Sequence, residues 1–238
     1  MAVATVQTVS ATTQATNASS LSATLTPGVG SLLLAWLMVA RGTSATFTGG
    51  SVTWTEIGSL PNSAGSVFLW GATATAATAL SVEGSYVAAV TDGKSILVVT
   101  ELSGHIGWGV ATATSVTGNT TLGSVTLTTT SANAAIYTCE GVGTAIIEGN
   151  EPVGYTVEYE GTVLGAAGDY GHAVASTADA GVAGAKVITW GTSPGTTIGG
   201  RRILVVEVKP SVTVTFNYNL LEHRVMRGAG RGVMRGVA

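Results

Sequence analysis

The chain has 238 residues, enough for one large all-β domain or two small ones, and at that length folding buries roughly 70% of the surface the unfolded chain exposes. Its single cysteine, Cys139, excludes a disulfide-framed scaffold, so stability rests on apolar burial and sheet hydrogen bonds. Only 10% of residues are charged, against roughly 25% in ordinary globular domains, and the formal net charge is −3.

Taken in chain order, short runs of Val, Thr, Ile, Leu and Tyr recur between Gly, Pro, Asn and Asp turn signals, the pattern of an antiparallel sandwich or jelly roll. VATVQTVSATTQAT and SLSATLT read as the first strands, the second stopped by Pro27 and Gly28. SLLLAWLMVARG reads as a strand buried on both faces and ending at Gly42. VTWTEIGSL and GSVFLWGATATA alternate, SVEGSYVAAV precedes a turn at Thr91-Asp92-Gly93-Lys94, and SILVVTELSG is a second central strand. Residues 104–110 read as a glycine-flanked loop.

The second half repeats this grammar. GSVTLTTTSANAAIYTCEGVG gives two strands around the turn Ser131-Ala132-Asn133, YTVEYEG and GHAVASTA give two more, and AKVITWG and RILVVEVKP close the body at Pro210. Segment 162–184 is the least patterned, and no stretch carries sustained helical spacing with caps. SILVVTELSG and RRILVVEVKP both place a glutamate after an Ile-Leu-Val-Val core, at Glu101 and Glu207; this suits a duplicated β-unit, although apolar strands also converge. The organisation expected is a β-sandwich over residues 1–210, then a C-terminal strand and an Arg/Gly-rich extended arm over 211–238.

Membrane insertion as a helix needs about 18 continuous apolar residues. The longest apolar run, residues 31–40, has strand length, and aromatic residues at 6% are too few for the girdles of a membrane barrel. The start MAVATVQTVS has no basic region before an apolar segment, so no signal peptide is expected. A surface of Thr, Ser, Gly and Ala, partly covered by other subunits, accounts better for the low charge, because covering it desolvates few ions.

Candidate chemistry is sparse. His105, His172 and His223 have no metal-ligand spacing and Cys139 has no cysteine partner, so no metal or cofactor is expected. Glu158 and Glu160, two apart on a strand, should share a face about 7 Å apart, a spacing glycosidase carboxylates use. A charged, solvated outward face on a protruding hairpin accounts for them better, and no catalytic residue is assigned. The glycine-rich pieces lack a phosphate-loop ending and do not open a helix. Four of the five tryptophans fall in strand-like runs; Trp108, beside His105 in the loop, is the candidate for an exposed contact.

Charge is divided unevenly, with net −6 over residues 1–221 and net +3 over 222–238. The end reads EHRVMRGAGRGVMRGVA, with Gly228, Gly230, Gly232 and Gly236 each costing a helix about 1 kcal/mol. Extended, fifteen residues reach about 50 Å. Arg224, Arg227, Arg231 and Arg235 offer forked donors, and Val225, Met226, Val233 and Met234 apolar anchors, so the segment reads as an arm for a neighbouring subunit ahead of an inert, frayed terminus. Nucleic acid is disfavoured, since the acidic body repels it.

Three stretches carry a resemblance: Gly49-Gly50-Ser51-Val52-Thr53-Trp54-Thr55-Glu56, Leu69-Trp70, and Leu204-Val205-Val206-Glu207-Val208-Lys209-Pro210. Their order, over roughly residues 3–210, resembles the β-sandwich modules of tailed-bacteriophage virion proteins. The resemblance implies a jelly-roll-like, concanavalin-like sandwich in a capsid decoration protein, a head fibre or a minor tail protein. It also implies a homo-oligomer that binds major capsid or tail subunits in the virion, after assembly in host cytoplasm. A tail or fibre component touching host glycan through loops such as 104–110 is the alternative. The chain departs from the family in being a single module and in carrying the Arg-Gly segment beyond Pro210.

Overall fold

The computed structural model describes residues 1–14, 18–40, 42–61, 66–88, 94–119, 122–142, 150–163, 170–191 and 199–212. The described residues form an all-β, antiparallel fold of fifteen strands. The first half contains β1 (Ala4–Thr13), β2 (Ser20–Leu25), β3 (Leu32–Val39), β4 (Gly42–Thr48), β5 (Thr55–Leu60), β6 (Ser66–Thr73), β7 (Leu80–Ala88) and β8 (Ser95–Ser103). The second contains β9 (His105–Asn119), β10 (Gly123–Thr129), β11 (Ala135–Val142), β12 (Thr156–Val163), β13 (Tyr170–Thr177), β14 (Gly184–Trp190) and β15 (Gly199–Pro210).

Instead of one pair of sheets there are four stacked layers. Two inner five-stranded sheets, ordered β1-β8-β3-β6-β5 and β12-β13-β11-β15-β9, pack face to face. Leu32, Leu34, Trp36, Leu69 and Val98 of one meet Tyr137, Cys139, Val174, Leu204 and Val206 of the other in a common core. The three-stranded sheet β2-β7-β4 covers the far face of the first inner sheet, where Leu21, Leu25, Phe47 and Val82 meet Leu33, Leu37, Phe68 and Leu97. The two-stranded sheet β10-β14 covers the far face of the second, where Val125, Leu127, Ile188 and Trp190 meet Ile136, Ala175, Ile203 and Val205.

This layering explains the sequence pattern. A strand covered on both faces cannot alternate, and all eight residues of β3 and of β11 are buried. The outer strands do alternate: β2 and β10 point Leu21, Ala23, Val125 and Leu127 inward and Ser22, Thr24, Ser124 and Thr126 outward.

The two halves follow one plan. Read from its other edge, the second inner sheet runs β9-β15-β11-β13-β12, the same order as β1-β8-β3-β6-β5 with each strand replaced by its counterpart. The irregularities match as well. The register shifts between Thr5 and Gln7 opposite Glu101, and again opposite Glu207, where Gly109 and Val110 bulge between Trp108 and Ala111. A second pair of shifts leaves Ile57 and Glu158 unpaired, each opposite the sixth strand of its half's plan. Bulges are position-specific devices, so their coincidence extends the likeness well beyond one apolar motif.

Glu101 and Glu207 hold equivalent posts on the outer faces of the inner sheets. Glu101 accepts hydrogen bonds from Gln7 Nε2 (2.5 Å), Gly28 N–H (2.7 Å) and Ser31 Oγ (2.7 Å). Glu207 accepts from Thr130 N–H (2.9 Å), Thr130 Oγ1 (2.9 Å), Ser131 N–H (2.8 Å) and Val110 N–H (3.3 Å). Each carboxylate therefore ties the last strand of its half to the first strand and to the connection between the second and third. Burial pushes both carboxyls up, but the hydrogen bonds outweigh it and hold both below the ordinary carboxylate range.

Glu207→Ala would remove four hydrogen bonds to a buried carboxylate and is expected to cost roughly 2–4 kcal/mol in urea denaturation, with Glu101→Ala similar. A loss below about 1 kcal/mol for both would show that water replaces the carboxylates without penalty.

Candidate functional site

The residues assigned to a subunit arm, Arg224, Val225, Met226, Arg227, Arg231, Val233, Met234 and Arg235, lie outside the described residues. The segment expected as a loop at 104–110 is instead the start of β9, the longest strand, which pairs with β15 along its length. Its glycines hid the strand: Gly107 takes a φ of 118°, and Gly109 lets the bulge approach Glu207. His105 is half-buried, and its Nδ1 accepts a hydrogen bond from Gly107 N–H at 3.1 Å. Burial lowers its pKa, and a hydrogen bond to the Gly30 backbone works against that.

Trp108 is not a free ring in a loop. It is half-buried against the common core, over Gly71 of β6, where an added Cβ would stand 2.8 Å from the indole. Gly71 supplies the space that the indole fills.

Glu158 and Glu160 do not share a face, because the bulge at Glu158 breaks the two-residue period. Tyr159 packs against the common core, and the next residue, Glu160, pairs with Ala173, which faces the two-stranded sheet. Glu158 accepts hydrogen bonds from Ser176 Oγ (2.5 Å) and Thr5 Oγ1 (2.8 Å), and Thr5 is also bonded to Tyr137 Oη (2.8 Å). These contacts pin β1, at the edge of one inner sheet, to β12 at the edge of the other. A carboxylate so engaged braces the sandwich.

Sequence reasoning missed a buried polar group at the end of β11. Arg201 Nη1 lies 3.0 Å from Glu140 Oε1 and donates to the Trp190 carbonyl at 3.1 Å, while Trp190 Nε1 donates to Thr138 Oγ1 at 3.2 Å. Both charged side chains are almost fully enclosed, between β14 and the inner sheet. Burial pushes the Glu140 carboxyl up to about 7, against the opposing effect of the Arg201 guanidinium. On the other face of the same sheet His172 is fully buried, and burial pushes its imidazole down to about 3. The signal for the pair was in the sequence, as Glu140 and Arg201 both interrupt apolar strands, but only the fold brings them together. Cys139 lies in the common core, where burial pushes its thiol up and keeps it unreactive.

Among the described residues no group of three His, Cys, Asp or Glu side chains could hold a metal ion. The depressions are shallow. One of about 300 Å³ on the outer face of the β2-β7-β4 sheet is lined by Ser20, Ser44, Thr46, Glu83 and Ser85. Another of about 440 Å³ lies between the N-terminus and Val212, lined also by Asn133 and Asp179, where the Met1 ammonium donates to the Ser211 carbonyl at 2.7 Å. Neither brings an acid, a base and a nucleophile together.

Comparison with known proteins supplies no further constraint: no family model matches the chain, and no curated protein or solved structure matches it at a significant level.

Two predictions follow from the buried groups. His172 is depressed from 6.5, so its contribution is present above that pH and is lost as pH falls. Glu140 is raised from 4.5 to about 7, so its contribution is present below 4.5 and is lost as pH rises toward 7. Between these values the two oppose each other. The melting temperature of His172→Gln should therefore rise on going from pH 7 to pH 5 more steeply than that of the wild type, and equal slopes would contradict the assignment. Arg201→Met alone should cost about 3–5 kcal/mol by stranding Glu140, and Glu140→Leu in the same chain should recover most of the loss, measured by urea denaturation.

Proposed function

We propose that the chain is a non-enzymatic structural protein of a tailed-bacteriophage particle, a capsid decoration or cement subunit that lies on the shell as an oligomer. The observation that carries this reading is the character of the two outer sheets. Their solvent faces are built from Ser20, Ser22, Thr24, Thr46, Ser81 and Glu83 on one side and Ser124, Thr126, Thr128, Ala185 and Val187 on the other. A neighbour covering such a face displaces water from hydroxyls and methyls with few ions to desolvate. The resemblance of the Gly49–Glu56, Leu69-Trp70 and Leu204–Pro210 stretches to virion sandwich modules points the same way.

The strand orders β1-β8-β3-β6 and β2-β7-β4 support reading the first half as a jelly roll, with β5 moved to the edge beside β6. The orders β9-β15-β11-β13 and β10-β14 support the same reading of the second half, so that the module is two jelly rolls stacked through their inner sheets. The Arg/Gly-rich end, net +3 against a body of net −6, is the arm that fastens one subunit to the next. The alternative, a tail or fibre component that binds host glycan, has less to stand on, since Trp108 is engaged in packing.

Antibody labelling of purified particles in negative stain should place the protein on the capsid shell, whereas labelling of tails together with glycan-array binding would favour the alternative. A chain lacking residues 222–238 should bind particles at least tenfold more weakly than the full chain in co-sedimentation. Equal binding would remove the arm.

A further inference from the structure

The matching bulges make two corners of the sandwich equivalent. Glu101 faces Leu33 and Glu207 faces Ile136, and counting along the ladders from those rungs puts Thr5 of β1, opposite Leu102, in the place of Trp108 of β9, opposite Val208. The Leu34 and Gly71 pair of β3 and β6 stands in the place of the Tyr137 and Ser176 pair of β11 and β13. The unpaired bulge residues Ile57 and Glu158 correspond as well. Each corner therefore sets one residue of one half against three of the other.

The two corners fill these equivalent places with opposite chemistry. Thr5 of the first half enters a polar site on the second: its Oγ1 donates to Glu158 Oε1 at 2.8 Å and is bonded to Tyr137 Oη at 2.8 Å, while Ser176 Oγ donates to the same carboxylate at 2.5 Å. Trp108 of the second half enters an apolar site on the first, lying over Gly71 with Ile57 beside it and Leu34 paired to Gly71 across the ladder. A Cβ at Gly71 would stand 2.8 Å from both Ile57 and the indole, closer than real Cβ atoms come. The site for the indole exists only while residue 71 has no side chain.

Because the halves share one plan, the competitor for each inner face is a half of its own kind from another copy. Two first halves packed in this way would put Thr5 over Leu34, Gly71 and Ile57, leaving its hydroxyl without an acceptor and the volume of an indole empty. Two second halves would drive Trp108 into Ser176 and strip Glu158 and Tyr137 of Thr5. A like pair carries its faulty corner twice. We propose that the two corners form a recognition code by which each half of this chain accepts the other kind of half and refuses its own. The partner fitted to the face that carries Leu34, Gly71 and Ile57 is thus a second half bearing Trp108, and the partner fitted to Tyr137, Ser176 and Glu158 is a first half bearing Thr5. This goes beyond the assembly reading given above and does not depend on it.

The test uses full-length chains in which one corner is rewritten as the other. Thr5→Trp alone should lower the melting temperature by at least about 5 °C, and adding Tyr137→Leu, Ser176→Gly and Glu158→Ile should bring it back to within about 2 °C of the wild type. The reciprocal set is Trp108→Thr, destabilising alone, with Leu34→Tyr, Gly71→Ser and Ile57→Glu to restore it. A restored chain has two corners of one kind, so its like halves can pair between copies. Refolded from urea at rising concentration, it should give at least about fivefold more dimer that persists on dilution than the wild type does, since such dimers are joined through their cores whereas surface association dissociates. Stability that neither full set recovers overturns the proposal, and so does a restored chain with no more persistent dimer than the wild type. Neither measurement involves particle binding, so failure here leaves the assembly reading standing.

Discussion

Covering a β-sheet on both faces removes the option of pointing polar side chains at water, and the architecture of this chain follows from that constraint. The two inner sheets are each packed between another inner sheet and an outer one. Their central strands must be apolar throughout, as β3 is, or must satisfy any polar group in place. Glu101 and Glu207 meet the second condition with three and four donors respectively. Because those donors come from the first strand of each half and from the connection between its second and third, satisfying the carboxylate also fixes how the half closes on itself.

The Glu140 and Arg201 pair answers the same constraint less completely. Several of its polar atoms, including Arg201 Nε and Nη2, find no hydrogen-bond partner. A buried pair of this kind adds little stability over a well-packed apolar substitute, but breaking it is costly. It lies at the Trp190 end of β14, where Gly191 N–H donates to the Asn150 carbonyl. In the first half the same register carries a neutral contact, Ser95 Oγ donating to Tyr86 Oη at 2.9 Å.

Much of the fold was legible in the sequence because burial on two faces and burial on one leave different periods. The continuous apolar run of β3 and the alternation of β2 and β10 could be read directly. Strand β9 could not, since His105, Gly107 and Gly109 mimic a loop while the partner that orders them, β15, lies about a hundred residues away. The likeness of the halves was visible only as two glutamates after similar cores. Aligning the Ile-Leu-Val-Val runs would put those glutamates one residue out of register, and the pairing shows that the glutamates correspond and the runs do not: Glu101 faces Leu33 and Glu207 faces Ile136, at matching rungs of β3 and β11. Nor could the faces of Glu158 and Glu160 be assigned, because a bulge is set by the neighbouring strand and leaves no mark in its own sequence.

In each half the first and last strands are hydrogen-bonded neighbours, β1 to β8 and β9 to β15. During synthesis the first half can therefore close its sheets as soon as Ser103 has left the ribosome, before the second half has emerged. At that moment the inner face carrying Leu34, Trp36, Leu69 and Val98 has nothing against it. The nascent protein must pass through a stage that displays a broad oily surface until the second inner sheet, whose last strand in the chain is β15, arrives to cover it. Slow elongation or a truncated message would prolong that stage, and aggregation of the newly made first half is the hazard built into this order of strands.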